Sequence, residues 1–366
     1  MRDGGARRFE AAWAEARDAF EALLRAHGIV GGTLLVTHGA DVRGRAHYGM
    51  ADREAGRPVE ADTIFHWASI TKTLTGLAVM QLRDRGRLGL DDALVDHLPE
   101  LRAVHNPFGP MEAVTIRHVM SHAAGFRQAT WPWGGDRDWH PHEPAAWAQL
   151  AAMLPYTEIH FAPGSRFRYS NLAVVFLGRI IEQITGDPYA AYAEKNILRP
   201  LGMHRSYFDH TPYHLLPHRA NNYDLVDGVP QPNGLDFHTG VTVSNGGLNA
   251  PAADLARYLA FLAGRHAPEV LARASLEAMW VPQHPAGADG PYRQFIGLSF
   301  FGFEGKGLRV VGHTGSQKGF RAFLYLDPAT GAGAAAAVNA TGRGGPPDAM
   351  ALLHALRRRL FDTVFP

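Results

Sequence analysis

The sequence predicts an α+β fold in which both ends of the chain supply strands to one antiparallel sheet, flanked by helices, with a helical lobe inserted between the ends. Strand patterns occupy 31–49 and return between 295 and 339, whereas helical spacing of apolar residues dominates the interval between them. No internal repeat or linker separates these segments. We therefore expect a single domain over 1–366, with a sheet lobe of about 1–68 and 240–366 and a helical lobe of about 69–239.

The first three quarters of the chain carry the strongest helix patterns. Apolar residues recur every three or four positions, and glycines follow the ends of several of these runs. The predicted elements of this part are helices at 9–27, 70–85, 172–185 and 252–264, and a strand pair at 31–37 and 43–49.

The last quarter returns to strands. Apolar segments predict strands at 295–301, 308–312 and 320–326, and a final helix is predicted at 347–362. The alanine run at 332–339 has helical propensity, but the turn sequence Asp-Pro-Ala-Thr-Gly stands directly before it. A hairpin would pair the run with the preceding strand, so we predict a strand there.

Composition excludes several classes of function. The 366 residues are 46% hydrophobic and 19% charged, with a net charge of +1, so no nucleic-acid partner is expected. The absence of cysteine excludes disulfides, thiolate metal sites and a cysteine nucleophile. No run of about eighteen apolar residues predicts a membrane span, and no signal-peptide pattern follows the N-terminal arginines, so a cytoplasmic protein is expected.

One pair of residues suits nucleophilic catalysis. The chain has only four lysines, and Lys72 stands three residues after Ser69 at the predicted start of a helix. One helical turn places both on the same face, and a lysine ammonium can lose its proton, which arginine cannot. Free N–H groups at the helix start offer an oxyanion donor. Alternatively, Ser69 caps the helix and Lys72 is solvated, although a cation there opposes the helix dipole.

Two further motifs carry a family resemblance. Tyr169-Ser170-Asn171 opens the predicted helix at 172–185, and His313-Thr314-Gly315-Ser316 lies on the strand that begins at 308. Together with Ser69-x-x-Lys72, in this order, they resemble the serine β-lactamase and penicillin-binding protein superfamily. The nearest branches are class C β-lactamases, D-alanyl-D-alanine carboxypeptidases and related esterases. The resemblance covers about 31–339 and implies a β-lactamase-like fold.

The resemblance implies four catalytic residues. Ser69 Oγ would attack the substrate carbonyl, and Lys72 would act as base or as a positive neighbour of Tyr169. Tyr169 would pass the proton to the leaving group, and His313 would tune Tyr169 electrostatically. Which of Lys72 and Tyr169 accepts the first proton stays open, because coupled groups titrate as a unit.

The same resemblance implies the binding groups. Asn171 would hold Lys72 and the substrate, and Thr314 and Gly315 would line the strand beside the acyl group. The backbone N–H groups of Ser69 and Ser316 would form the oxyanion hole.

Two features bear on the substrate. His313 replaces the lysine usual in class C β-lactamases, and a neutral histidine is a weaker anchor for a substrate carboxylate. Four of the seven tryptophans fall within 131–147, and we predict that Trp131 and Trp133 bind apolar substrate groups. Alternatively, these aromatics pin a long loop. Asp138, His140, His142 and Glu143 lie in the same loop and are interpreted as surface residues, so no metal is expected.

The sequence thus predicts a serine hydrolase with an acyl-enzyme on Ser69, a carboxylesterase for small or hydrophobic esters. The alternatives are a D,D-carboxypeptidase, a D-aminopeptidase or a weak β-lactamase and, outside enzymes, a non-catalytic penicillin-recognising module. Expected partners are small-molecule esters, amides or lactams, without cofactor or membrane. Tyr223 is a further candidate for the cleft wall, and adjacent Ser121 and His122 are interpreted as a structural helix-to-loop element.

Overall fold

The computed structural model describes residues 2–130, 144–235, 238–342 and 345–365, with side chains from Phe9 onward. Its strands are β1 (Gly31–His38), β2 (Asp41–Asp52), β3 (Arg57–Pro58), β4 (Ile64–Ala68), β5 (Tyr207–Phe208), β6 (Tyr223–Val226), β7 (Val229–Pro232), β8 (Leu248–Pro251), β9 (His284–Asp289), β10 (Tyr292–Ile296), β11 (Phe301–Gly305), β12 (Leu308–Gln317), β13 (Phe320–Leu326), β14 (Ala332–Val338) and β15 (Ala340–Gly342).

The helices are α1 (Arg2–Ala26), α2 (Thr71–Asp84), α3 (Leu94–His97), α4 (Ile116–Met120), α5 (Trp147–Ala151), α6 (Asn171–Thr185), α7 (Tyr189–Ala193), α8 (Val243–Gly246), α9 (Ala252–Leu262), α10 (Arg273–Met279) and α11 (Ala349–Thr363). Short 3₁₀ turns lie at Pro99–Ala103, Met111–Ala113, Leu154–Tyr156, Tyr213–His218 and Gly240–Thr242, and a π-helical turn lies at Glu194–Leu198. Within the described ranges, no helix combines the length and apolar character that crossing a membrane requires.

A nine-stranded sheet has the order β3-β2-β1-β14-β13-β12-β11-β10-β9. Its neighbouring strands pair antiparallel, and it joins strands from both ends of the chain. The predicted α+β class, with a sheet built from both termini and helices between them, is confirmed. Two smaller sheets, β4-β8-β5 and β15-β6-β7, accompany it.

The alanine run forms an interior strand of this sheet, between β1 and β13. β14 pairs with β13 and β1, as the turn before it predicts, so that Ala336 faces Phe323 on one side and Leu34 on the other. Alternate residues of β14 belong to two different apolar cores, one with α1 and α11 and the other with α2 and α9. A strand buried on both faces by helical layers accommodates small side chains despite their helical propensity.

One predicted strand is wrong. The segment 295–301 is divided: β10 ends at Ile296, β11 begins at Phe301, and a turn joins them. Gly297 donates its N–H to Phe300 O at 2.8 Å, and Ser299 has a positive φ of 63°. Leu298 and Phe300 of this turn are fully buried. Because the turn is as apolar as a buried strand, the sequence pattern does not show that the chain reverses there.

Strand β4 is absent from the sequence-based prediction, although it leads directly to Ser69. All five of its residues are buried, and it pairs antiparallel with β8, with Ala68 opposite Leu248. The run Ile-Phe-His-Trp-Ala does not alternate in polarity because both faces are covered. This pairing fixes the point at which the chain turns into α2.

Candidate active site

Ser69 lies in a sharp turn between β4 and α2. Ala68 has a positive φ of 46°, a conformation that costs free energy for a residue with a Cβ. Ile70 then donates its N–H to Trp67 O at 3.2 Å, and α2 begins at Thr71. Ser69 is half-buried and does not cap the helix, so its hydroxyl is left for other partners.

Lys72 reaches Ser69 from the first turn of α2. Its Nζ lies 3.0 Å from Ser69 Oγ and donates to the backbone carbonyl of Asn245 at 2.8 Å. The side chain is only 1% exposed, so the alternative of a solvated lysine is wrong. Burial lowers the pKa of Lys72 well below its ordinary value, because the charged form loses its hydration without gaining an anion. A neutral amine keeps a lone pair that can face the serine hydroxyl.

Tyr169 converges on the same two residues from the start of α6. Its hydroxyl forms a hydrogen bond with Ser69, and Lys72 Nζ lies 5.0 Å from the centre of its ring. Ser170 caps α6 by accepting from Ala173 N–H at 3.0 Å, which fixes the chain beside the tyrosine. Burial raises the pKa of Tyr169, so the phenol is protonated in the resting site.

His313 lies on β12, with its ring centre 6.1 Å from that of Tyr169. Its Nδ1–H donates to Thr314 O at 2.5 Å, and within the described part of the chain its Nε2 has no hydrogen-bond partner. Burial, together with the nearby Lys72, lowers the pKa of His313 to about 3. The imidazole is therefore neutral at ordinary pH and carries an unprotonated Nε2.

Gly315 lets β12 approach the nucleophile turn. A Cβ at this position would lie 2.2 Å from Trp67 O, closer than any real contact allows. The neighbouring Thr314 is half-buried and Ser316 is exposed at the same stretch of strand. Among the described residues, no backbone carbonyl accepts the Ser69 N–H. That N–H is thus left available beside the hydroxyl.

Asn171 occupies the first position of α6 and does not hydrogen-bond to Lys72. Its Oδ1 has no partner within the described ranges, and its backbone carbonyl accepts from Asn245 Nδ2 at 3.2 Å. The lysine amine is held instead by Asn245, whose backbone carbonyl accepts from Lys72 Nζ. It lies in α8, just before β8, so the β4–β8 pair brings it to the nucleophile.

Other predicted residues lie elsewhere. Trp131 and Trp133 fall outside the described residues, as do the acidic and histidine side chains of 138–143. Tyr223 was wrongly expected in the cleft wall: it is fully buried, and its hydroxyl donates to Glu54 at 2.7 Å. A buried tyrosine whose hydroxyl is hydrogen-bonded to a carboxylate has no exposed surface that a ligand could contact.

His122 is a second residue, after Asn245, that lies beside the site although the sequence did not place it there. Its ring centre lies 4.4 Å from that of Tyr169. A left-handed backbone, with φ of 52°, turns it towards the tyrosine after α4 ends. The only available signal was its position in Ser-His-Ala-Ala-Gly-Phe, which carries no periodic pattern.

Comparison with known families matches residues 16–358 to the family described as Beta-lactamase. The chain belongs to the Beta-lactamase family. The resemblance that the three motifs carry is thereby confirmed, and it extends beyond them to nearly the whole chain.

Similar proteins of this family have names that state different activities. The chain is 35% identical over 197 residues to esterase EstB of Burkholderia gladioli, covering 50% of this chain and 48% of EstB. It is 27% identical over 324 residues to a penicillin-binding protein of Bacillus subtilis, covering 84% of this chain and 68% of that protein. The match to EstB thus spans about half of that relative's length.

Solved structures support the fold. The octameric penicillin-binding protein homologue from Pyrococcus abyssi superposes with a TM-score of 0.80 at 28% identity, covering 95% of this chain and 77% of that chain. The β-lactamase-like fold predicted from the motifs is therefore confirmed.

Proposed function

We propose that this protein is a serine hydrolase that cleaves small or hydrophobic carboxylic esters through an acyl-enzyme on Ser69. The observation that carries the proposal is the buried Lys72 amine, 3.0 Å from Ser69 Oγ. An amine whose pKa is held low by burial, with its lone pair available, suits the removal of the serine proton.

We infer the proton path from the contacts of Lys72 and Tyr169 with Ser69 together with the directions of their pKa shifts. Lys72 takes the proton of Ser69 as Oγ bonds to the substrate carbonyl carbon, and the N–H of Ser69 faces the resulting oxyanion. Collapse breaks the bond to the alkoxide, which receives the phenol proton of Tyr169, and Lys72 returns its proton to the phenolate. Water then attacks the acyl-enzyme and releases the acid by the same steps in reverse. Tyr169, protonated at rest, is better suited to give than to accept the first proton.

The site favours substrates that carry no carboxylate. The neutral His313 offers no positive charge for a substrate carboxylate, which peptidase and β-lactam substrates carry. Phe301 lies beside it, with ring centres 5.1 Å apart, and Phe167 packs edge-on against Phe301 at 5.7 Å. Such an apolar wall buries alkyl or aryl groups. The 35% identity to a protein named esterase EstB supports the same substrate class.

A second candidate is hydrolysis of D-amino-acid peptides or β-lactams. The longer match, over 324 residues, is to a penicillin-binding protein. A direct test offers the purified protein p-nitrophenyl acetate and butyrate, ethyl butyrate, D-Ala-D-Ala peptides, D-amino-acid amides and benzylpenicillin, with intact-mass detection of the adduct. Turnover of the esters with little turnover of the others supports an esterase. Turnover of the peptides or lactams alone would assign the second activity. If no substrate is turned over and no probe, including fluorophosphonates, forms an adduct, a binding module would be favoured.

Tyr169→Phe should separate proton donation from nucleophilic attack. For an alkyl ester, whose alkoxide must be protonated, we expect kcat/KM, which reports acylation, to fall about 10²–10⁴-fold. For the p-nitrophenyl ester of the same acid the loss should be at least about tenfold smaller, because p-nitrophenolate leaves without a proton. Tyr156→Phe, at an exposed tyrosine, is the matched control and should retain activity on both esters. Equal losses on the two esters would contradict the donor role.

A further inference from the structure

We propose that His122 is a positioning residue that holds Tyr169 in its productive orientation. Its backbone carbonyl accepts from Arg168 N–H at 2.8 Å, and its Nδ1 accepts from Ser170 N–H at 3.2 Å. Its ring also packs against the tyrosine ring, at 4.4 Å between centres and 34° between planes. One residue thus binds the positions before and after Tyr169 and the side chain between them.

The Nδ1 contact requires a neutral imidazole. A backbone N–H can donate only to an unprotonated ring nitrogen, which places the proton of His122 on Nε2. The residue is 2% exposed, and burial, with Lys72 and His313 nearby, lowers its pKa well below the ordinary value. His122 therefore keeps this acceptor throughout the ordinary pH range.

The backbone of His122 is left-handed, a conformation in which histidine is less rare than most residues with a Cβ. It adopts a φ of 52° just after Ser121, the C-terminal cap of α4. Glycine or asparagine closes a helix in this conformation with less strain than a residue of ordinary shape.

The tyrosine ring is confined by this contact and by the groups around it. Phe301 lies near both rings, 6.2 Å from Tyr169 and 6.4 Å from His122 between centres. Lys72 Nζ lies 5.0 Å from the tyrosine ring. Because proton transfer needs donor and acceptor within hydrogen-bonding distance, loss of the imidazole should let the phenol move away from Ser69.

The experiment compares His122→Ala with His122→Asn, and rests on the proposed function for its kinetic part. We expect His122→Ala to lower kcat for an alkyl ester about 10- to 100-fold while KM changes less than about threefold. Asparagine tolerates the left-handed backbone, and its amide oxygen can accept from Ser170 N–H, so His122→Asn should recover part of the loss. The control is His118→Ala, which removes a helix-capping ring without contact to Tyr169 and should keep kcat.

Two measurements distinguish positioning from general destabilisation. In the Tyr169→Phe background, His122→Ala should cost less than about threefold in kcat, since the phenol that it positions is already gone. In ¹³C spectra of ring-labelled tyrosine, the Tyr169 signal, assigned by its loss in Tyr169→Phe, should shift in His122→Ala. Equal kinetic losses in both backgrounds, or an unmoved Tyr169 signal, would overturn the inference. The spectroscopic result is read without substrate, so it stands even if no ester is cleaved.

Discussion

Ser69→Ala should lower kcat/KM for the best ester by at least about 10⁴-fold, because in the proposed mechanism its hydroxyl oxygen forms the acyl bond. The protein should remain folded, since the residue is small and half-buried and caps no helix. Intact-mass spectra should show a single adduct of a fluorophosphonate on the wild type and none on the variant.

Ser165→Ala provides the matched control for this result. Ser165 is an exposed serine of the loop before Tyr169 and makes no contact with the Ser69 hydroxyl. Its replacement should leave both turnover and adduct formation within about twofold of wild type, as for surface substitutions generally. An adduct that persists in Ser69→Ala would show that another residue is the nucleophile and would contradict the proposed mechanism.

Lys72→Met should remove the base while keeping the length of the side chain. We expect kcat/KM to fall by about 10²–10⁴-fold, and Lys72→Arg should be no better, because a guanidinium does not release its proton. The control is Lys195→Met, at an exposed lysine that pairs with Asp187 and should retain full activity. Near-wild-type turnover by Lys72→Arg would exclude a lysine that acts as base.

Stability against pH provides a second test of the same lysine. The unfolded chain holds a proton on Lys72 up to its ordinary pKa of 10.5, whereas the folded protein releases it at lower pH. Between these two pKa values the unfolded state binds more protons, so the free energy of unfolding rises with pH. Relative to Lys72→Met, the wild type should therefore gain stability as the pH rises towards 10.5. Denaturant titrations of both proteins at several pH values would measure this difference, and a constant difference would contradict a depressed pKa.

The sequence predicted those parts of the site that depend on short-range spacing or on a recognisable motif. Ser69 and Lys72 meet because they are one helical turn apart, and Tyr169 opens a helix with strong apolar periodicity. The other contacts of the site depend on the pairing of strands that are distant in the sequence. Asn245 contacts Lys72 only because β8 pairs with β4, across a separation of 173 residues.

Local patterns failed where burial removed the contrast between apolar and polar residues. The turn between Ile296 and Phe301 is as apolar as the strands that it joins, and β4 is covered on both faces. His122 was overlooked for a related reason. Its left-handed backbone and its ring contact with Tyr169 depend on where α4 ends in space, which no spacing in the chain encodes.

The run of alanines in β14 also limits how this enzyme can be redesigned. Along β14, these methyl groups are the side chains that the strand presents to the apolar cores on both faces of the sheet. A library that randomises 334–337 would place larger side chains in a packed interior. Each such substitution should lower the free energy of unfolding by about 1–3 kcal/mol. Directed evolution of new specificity should keep these four positions fixed and vary the apolar wall around Phe301 and Phe167.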